Sequence, residues 1–512
     1  MEKILWADDE IDLLKPHILF LKAKGYDVTT VSNGRDALDA LDREPYSLIL
    51  LDENMPGLSG IETLARINLA HPEVPVIMIT KSEEENIMNQ AIGNQIADYL
   101  IKPVNPNQIL LSLKKNLHSG ELVAAQATSS YQQEFQKIST LINMAASIED
   151  WMEVYRQLVY WELKLSDTDP GVAELLLMQK RDANASFCKF IKRNYEGWVK
   201  GKEHPLMSHE IFKNRVFPLL NAGDKVCFFL IDNFRLDQWR MIQPLLADFF
   251  TVEEELYTTI LPTSTQYARN AIFAGLMPLQ IATMFPHLWV DEEENEGFNA
   301  HESELIRTQL ERFRRKETFT YNKLNDSSAG EKFIQKLNQN KDVPLNVVVL
   351  NFIDMLSHAR TESKMIRELA NSDAAYRSLT ESWFRHSGAV DIFRRLAELG
   401  YKVIVTTDHG TIRVDNPIKV VGDRNTNTNL RYKVGKNLNY NPRQVYEMHN
   451  PKSFGLPAPN ISSVFIYACN EDFFSYPNNY NYYVQYYTGT FQHGGISLQE
   501  MLVPLVTLTP KQ

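Results

Sequence analysis

Residues 401–410 read YKVIVTTDHG, a short β-branched run that stops on Asp408, His409 and Gly410. Val403, Ile404 and Val405 suit a strand buried on both faces. The carboxyl end of such a strand is where open α/β sheets bind ligands, and a carboxylate beside an imidazole suits zinc. Other runs supply more donors. Asp232 follows the run 226–231, and Asp354 follows the run 347–353. His358 lies four residues beyond Asp354, so the two face one side of a helical turn, as a shared metal requires. His493 sits in the Gly-rich stretch Phe491, Gln492, His493, Gly494, Gly495. Thr263, Ser264 and Thr265 precede an expected helix over 266–275. Backbone N–H groups at a helix start suit negative charge developing on phosphorus. Each of the three hydroxyls is a candidate nucleophile, and Thr263 and Ser264 serve equally as helix caps. Arg269, one turn beyond Thr265, suits either a non-bridging phosphate oxygen or a solvated helix face.

A second set of chemical residues lies near the amino end. Asp8 and Asp9, then Asp52, Thr80 and Lys102 each close an apolar run. Three clustered carboxylates repel one another unless a cation holds them, and hard oxygen ligands suit Mg²⁺. A lysine and a hydroxyl on facing strands then grip a phosphoryl oxygen.

The elements that must position these residues fall into three regions. Residues 1–119 alternate apolar runs (4–7, 27–31, 48–51, 74–79, 97–101) with helical periodicity, such as Leu14, Ile18 and Leu21 before Gly25. Five βα units predict a doubly wound five-stranded parallel sheet. From 120 to 210 the spacing of Ile138, Leu141, Ile142, Met152, Tyr155 and Leu158 predicts a helical bundle, entered through a linker at 124–130 with no core-forming face. Asp169, Pro170 and Gly171 read as a turn before another helical stretch. This bundle reads equally as a relay surface or a spacer, and Lys189, Lys192, Arg193 and Lys200 as a solvated face. Residues 211–512 return to α/β, with runs at 226–231, 347–353, 403–407, 463–467 and 503–508 and helical segments at 303–316 and 372–399.

Composition bounds the function. The chain has 512 residues, 44% hydrophobic and 23% charged, as a soluble protein of two or three domains would. A formal charge of −11 argues against a general nucleic-acid or membrane-surface binder, and no DNA-recognition motif is visible. Cys188, Cys227 and Cys469 lie far apart, which predicts no disulfide framework. No signal peptide or membrane-spanning run is read, so a cytoplasmic location is expected. Against the acidic background, 422–452 carries six basic residues (Arg424, Arg431, Lys433, Lys436, Arg443, Lys452) and two acids (Asp423, Glu447). Tyr432, Tyr440 and Tyr446 interleave with them, and 480–487 adds further rings. Charge along a backbone with rings to stack on suits a short or cyclic oligonucleotide, with Arg424 and Arg431 as substrate contacts; an ordinary surface loop has the same composition.

The amino-terminal constellation closely resembles the receiver domain of two-component response regulators. That resemblance implies Asp52 as phosphoacceptor, and Mg²⁺ held by Asp9, Asp52 and the carbonyl of Asn54 with Asp8 behind. It implies Thr80 and Lys102 on the phosphoryl group, Tyr99 as switch aromatic, a cis Lys102–Pro103 bond and a sensor histidine kinase as partner. Lys81 departs from the small residue usual after Thr80, which bears on how water reaches the acyl phosphate. The carboxyl-terminal pieces resemble the alkaline phosphatase superfamily, most closely its PglZ branch, on His493, Gly494, Gly495, Ile496, Ser497, Glu500 and Pro504. By that resemblance Asp354, His358 and His493 hold one zinc, and Asp232, Asp408, His409 and the nucleophile the second. Related phosphodiesterases carry Pro-Thr-x-Thr with a Gly ten residues after the second Thr. Pro262, Thr263, Ser264, Thr265 and Gly275 keep that spacing, which selects Thr265. Sulfatases need Cys or Ser here, so threonine disfavours them. A receiver joined through helices to a PglZ domain resembles response regulators of the PorX type, linked to type IX secretion. The expected activity is a phosphorylation-controlled two-zinc phosphodiesterase that pairs into a homodimer. The alternative is an adaptor that binds a sigma factor or secretion component, with zinc mainly structural.

Overall fold

The computed structural model describes residues 2–81, 96–166, 170–290, 299–324, 327–362, 366, 368, 370–422, 426–458, 460 and 462–511. The chain forms two compact units, Met1–Ser129 and Ser130–Gln512. The helical region therefore belongs to the same unit as the carboxyl-terminal α/β domain.

In the first unit, strands β1 (Lys3–Ala7), β2 (Asp27–Val31), β3 (Leu48–Asp52), β4 (Val76–Thr80) and β5 (Asp98–Ile101) pair in parallel, in the order β2-β1-β3-β4-β5. The unbroken apolar runs have a physical cause. Leu5, Ile49, Leu51 and Met78 feed a core on one face, while Ile4, Trp6, Leu50 and Ile77 feed a core on the other. Helices α1 (Lys15–Ala23), α2 (Gly34–Arg43) and α3 (Gly60–Ala70) follow β1, β2 and β3. Helix α4 spans Pro106–Met144, so the expected linker at 124–130 is helical instead. A stretch of Ala, Gln, Thr and Ser lacks an apolar face, yet nothing in it breaks a helix.

In the second unit, α5 (Ile148–Lys164) and α6 (Pro170–Val199) form the helical region. Asp169 lies outside the described residues, and Pro170 opens α6. The large sheet has six strands among the described residues: β6 (Lys225–Ile231), β7 (Phe250–Thr258), β8 (Phe319–Leu324), β9 (Leu345–Leu350), β10 (Tyr401–Thr406) and β11 (Leu502–Pro510). Their order is β7-β11-β10-β6-β9-β8. Strands β8, β9, β6 and β10 are parallel, and β11 runs antiparallel to β10 and β7.

Several expected boundaries move. Strand β9 stops at Leu350, and Asp354 lies in the first turn of α8 (Phe352–Glu362, following α7 at Thr265–Ala274). The segment 372–399 is two helices, α9 (Asp373–His386) and α10 (Ala389–Glu398), parted by Gly388 at φ 77°. The run at 463–467 joins no large sheet; Val464–Ala468 is the middle of a three-stranded sheet with Tyr432–Gly435 and Val445–Met448. Tyr432 and Tyr446 are buried there, at 3% and 9% exposure, which removes both from the expected stacking platform. Cys188 and Cys469 form a disulfide, contrary to the expectation of none. Their sequence separation of 281 hid the fact that α6 lies against the end of Val464–Ala468. No helix among the described residues is long and apolar enough to cross a membrane.

Candidate functional site

At the carboxyl edge of the large sheet, β6 ends into Asp232 and β10 into Asp408 and His409. Asp232, Asp408 and His409 offer donor atoms all within 4.8 Å of one another, and all three are buried. Asp354, His358 and His493 form a second such triad, with His358 exposed. The rings of His409 and His493 stack at 4.2 Å between centroids, so the two triads adjoin. Gly410 lets the chain after His409 pass close to Gln499, where a Cβ would sit 2.0 Å from the carbonyl oxygen. Six residues chosen from sequence patterns thus meet at one place.

The histidine tautomers follow from their backbone partners. His409 Nδ1 lies 3.1 Å from the Gly410 carbonyl oxygen and His493 Nδ1 3.2 Å from that of Thr263. A carbonyl only accepts, so each Nδ1 carries the hydrogen and each Nε2 presents a lone pair. Burial lowers the His493 pKa to about 4, with His409 adding to it, and burial also lowers that of His409. Those lone pairs face carboxylates. His493 Nε2 is 3.8 Å from Asp354 Oδ1, and His409 Nε2 is 4.0 Å from Asp232 Oδ1 and 3.9 Å from Asp408 Oδ2. Imidazole lone pairs facing carboxylate oxygens suit a cation between them, and a carboxylate-imidazole set fits zinc.

The three hydroxyls part ways. Thr265 Oγ1 lies 3.1 Å from His409 Nε2 and 3.5 Å from Asp232 Oδ1, at the start of α7. Thr263 is turned to the closing loop: its hydroxyl donates to the Gly495 carbonyl at 2.8 Å and accepts from Gly494 N–H at 3.0 Å. Ser264 is the N-cap residue but makes no side-chain capping bond.

The arginines are where the sequence reading needs correction. Arg269 is 1% exposed and contacts Asp232, with Asp408 Oδ2 at 2.9 Å and Glu302 Oε1 at 3.4 Å. Burial would raise the Asp408 carboxyl, but the Arg269 guanidinium, His409 and the Asn233 N–H together outweigh it and hold the pKa at about 2. Asp232 goes the other way: burial, with Asp408 and Asp354 beside it, keeps it well above the usual carboxylate range despite Arg269. Arg269 is thus a brace for two carboxylates, in place of the expected substrate contact. Arg431 is fully buried on Glu500, with Nη2–Oε2 at 2.6 Å and Nε–Oε1 at 3.1 Å. Glu500 in turn accepts from Gly495 N–H at 2.9 Å, so Arg431 shapes the closing loop and does not meet substrate. Arg424 lies outside the described residues.

Sequence reasoning missed Asn233. At φ 61° it turns the chain after Asp232, donating its backbone N–H to Asp408 and its amide to Asp354 and Ser357. An Asn directly after a strand-ending Asp was the available signal, since Asn tolerates the left-handed region.

In the first unit, Asp8, Asp9 and Asp52 bring their oxygens within 4.8 Å of one another. Lys102 Nζ sits 2.8 Å from both Asp8 Oδ2 and Asp52 Oδ1. Burial raises the Asp52 pKa; Lys102 offsets part of this, while Asp8 and Asp9 add to it. An all-oxygen triad fits Mg²⁺. Thr80 donates to Glu53 at 2.5 Å, Tyr99 is half-buried, Asn54 is exposed and the Lys102–Pro103 bond is cis. Lys81 is engaged by Glu10 at 2.9 Å, on the rim of this pocket.

Comparison with known proteins divides the chain in the same order. Residues 4–114 match the response regulator receiver domain, 121–199 the PorX response regulator linker domain, and 211–508 the BREX system PglZ alkaline phosphatase-like domain. Over 116 residues the chain is 39% identical to the transcriptional regulatory protein CpxR homolog of Haemophilus influenzae, covering 22% of this chain and 49% of that one. It is 33% identical over 125 residues to the alkaline phosphatase synthesis transcriptional regulatory protein PhoP of Bacillus subtilis, covering 24% and 51%. The chain spans about half the length of these relatives. Among solved structures, the receiver domain protein of Methanospirillum hungatei is 26% identical, covering 23% of this chain and 95% of that one at a TM-score of 0.23. Chemotaxis protein CheY4 of Vibrio cholerae is 28% identical, covering 23% and 99% at 0.22. With the PglZ match spanning more than half its length behind a receiver and a PorX linker, the chain belongs to the PglZ alkaline phosphatase-like family, as a response regulator of the PorX type.

Proposed function

We propose that this chain is a response regulator whose PglZ domain is a two-zinc phosphodiesterase with Thr265 as nucleophile and Asp52 as phosphoacceptor. The observation that carries the reading is the meeting of two carboxylate-imidazole triads with one hydroxyl between Asp232 and His409. Asp354, His358 and His493 would hold one zinc, and Asp232, Asp408, His409 and Thr265 the other. When bound, the metals supply Lewis acidity that makes the threonine hydroxyl a nucleophile and steadies charge on phosphate oxygens.

The protein's own groups do the rest. The Thr265 oxygen bonds to phosphorus as the bond to the leaving alcohol breaks, and water then releases the phosphoryl group from the threonine. Thr265 is the first residue of α7, and N–H groups that open a helix suit the negative charge that gathers in the reaction. Arg269 keeps Asp408 ionised, so the site retains a carboxylate donor despite its burial.

In the receiver, Mg²⁺ on Asp9, Asp52 and the Asn54 carbonyl, with Asp8 behind, would support phosphotransfer from a sensor histidine kinase. Thr80 and Lys102 would contact the product, with Tyr99 responding. We expect phosphorylation to favour a homodimer. A phosphoester such as a short or cyclic oligonucleotide, in the control of type IX secretion, is the substrate class proposed.

The test is turnover of bis(p-nitrophenyl) phosphate and p-nitrophenyl phosphate, with zinc added or chelated, on wild type and Asp52→Ala, with and without beryllofluoride and Mg²⁺. Zinc-dependent turnover of the diester, raised by beryllofluoride only in wild type, is the expected result. Bound zinc with no turnover of either ester would sink the enzyme reading and leave an adaptor for a sigma factor or secretion component.

A further inference from the structure

Helix α6 lies in the same compact unit as the metal triads. Asn184 and Tyr195 are eleven residues apart on it, about three helical turns, so they point the same way. Cys188 and Ile191 lie between them on that face, and all four are buried. Each polar member of the face meets the backbone of a loop that carries a site residue. The Tyr195 hydroxyl oxygen accepts from Leu261 N–H at 2.8 Å, four residues before Thr265. Asn184 Oδ1 accepts from Leu498 N–H at 2.8 Å, five residues after His493, and its amide donates to Gln499 Oε1 at 3.1 Å. Leu261 and Leu498 are 0% and 1% exposed, so neither amide has water to fall back on. The two loops are also tied to each other, through Thr263 and the Gly494–Gly495 backbone.

We infer that α6 positions the catalytic loops: Tyr195 sets the loop bearing Thr265, and Asn184 sets the loop bearing His493. This rests on the zinc phosphodiesterase reading and gives the helical region a role that neither a spacer nor a relay surface requires. A rigid helix spans both loops with a fixed separation, which short loops rich in Gly and Pro cannot hold alone.

The experiment uses the full-length protein with Tyr195→Phe, Asn184→Leu and Asn184→Asp. Zinc affinity is read by competition with a chelating indicator, kcat and KM with bis(p-nitrophenyl) phosphate, and folding by thermal melting. Tyr195→Phe keeps the ring and loses the acceptor, and should lower kcat on the order of tenfold by misplacing the nucleophile, with KM and zinc affinity unchanged. Asn184→Leu should weaken zinc binding about tenfold, and Asn184→Asp, which keeps the acceptor for Leu498 N–H, should restore it. Wild-type kcat in Tyr195→Phe together with wild-type zinc affinity in Asn184→Leu would overturn the inference. So would equal loss in Asn184→Leu and Asn184→Asp, or a Tyr195→Phe protein that melts early without a change in kcat. A wild type that binds no zinc would instead overturn the underlying reading, and this inference with it.

Discussion

Two acidic clusters sit at the carboxyl ends of parallel strands in this chain, and they differ in what faces the carboxylates. In the receiver, Asp8, Asp9 and Asp52 offer oxygen alone, and the resident cation is Lys102, a single ammonium 2.8 Å from two of them. In the PglZ domain each triad includes an imidazole, and the resident cation is Arg269, which contacts Asp232, Asp408 and Glu302 at once. Lysine is a compact charge on a flexible stem, whereas arginine is a planar fork that holds several partners in fixed geometry. On the proposed function, the receiver pocket lets its cation move onto an arriving phosphoryl group. The other site is built to hold its carboxylates still. The carboxyl edge of a parallel sheet serves both purposes, one in each unit, and the co-ligands and resident cation decide between them.

The comparison can be broken first at the nucleophile. Thr265→Ala should cut diester turnover by roughly a thousandfold or more while zinc, measured by metal analysis, stays bound. Loss of zinc with turnover would make Thr265 a ligand first, and a dead Thr263→Ala with active Thr265→Ala would reassign the attack. Next in size is the cost of disturbing a fixed cation. Asp408→Asn, and separately Arg431→Ala, should each destabilise the PglZ domain by about 3–5 kcal/mol in denaturant unfolding, because each strands a buried charge. A loss below about 1 kcal/mol would show that the network relaxes or admits water.

The receiver should respond oppositely. Asp52→Asn, measured without Mg²⁺, removes one of three crowded carboxylates and should stabilise that unit by roughly 1 kcal/mol. Added Mg²⁺ should then stabilise wild type and not the variant. A destabilised Asp52→Asn would mean that the Lys102 pairing outweighs the repulsion.

A further effect separates the sites by pH, in chelator-treated protein. Asp52 has a raised pKa, so the folded state holds its proton more tightly and this residue favours folding as pH falls through that pKa. His493 has a lowered pKa, about 4 against an unfolded value near 6.5, so the unfolded state takes the extra proton and stability drops as pH falls through that window. Melting curves between pH 7 and pH 5 should flatten in His493→Asn relative to wild type. An unchanged slope would place a proton on His493 in the folded state.

Much of this site was legible in the chain order. Strand-ending Asp232 and Asp408, the Asp354–His358 spacing and the Gly-rich loop of His493 are local patterns, and a parallel sheet collects strand ends at one edge whatever the rest of the chain does. The amphipathic stretches of α5 and α6 were legible for the same reason. Strands β7 and β8 were not. FTVEEELYT and FTYNKL lie at the two edges of the sheet, half-exposed, and carry charges that hide an apolar run.

What the sequence determined by itself was the donor set, because ligand type and spacing along one strand or one helical turn are short-range properties. Only the tertiary structure decided that Arg269 and Arg431 are spent on buried carboxylates, and that Cys188 meets Cys469 across 281 residues. Those outcomes depend on which distant group each side chain finds when it loses water. Burial cost and partner geometry settle that choice, and neither is written in the spacing of neighbouring residues.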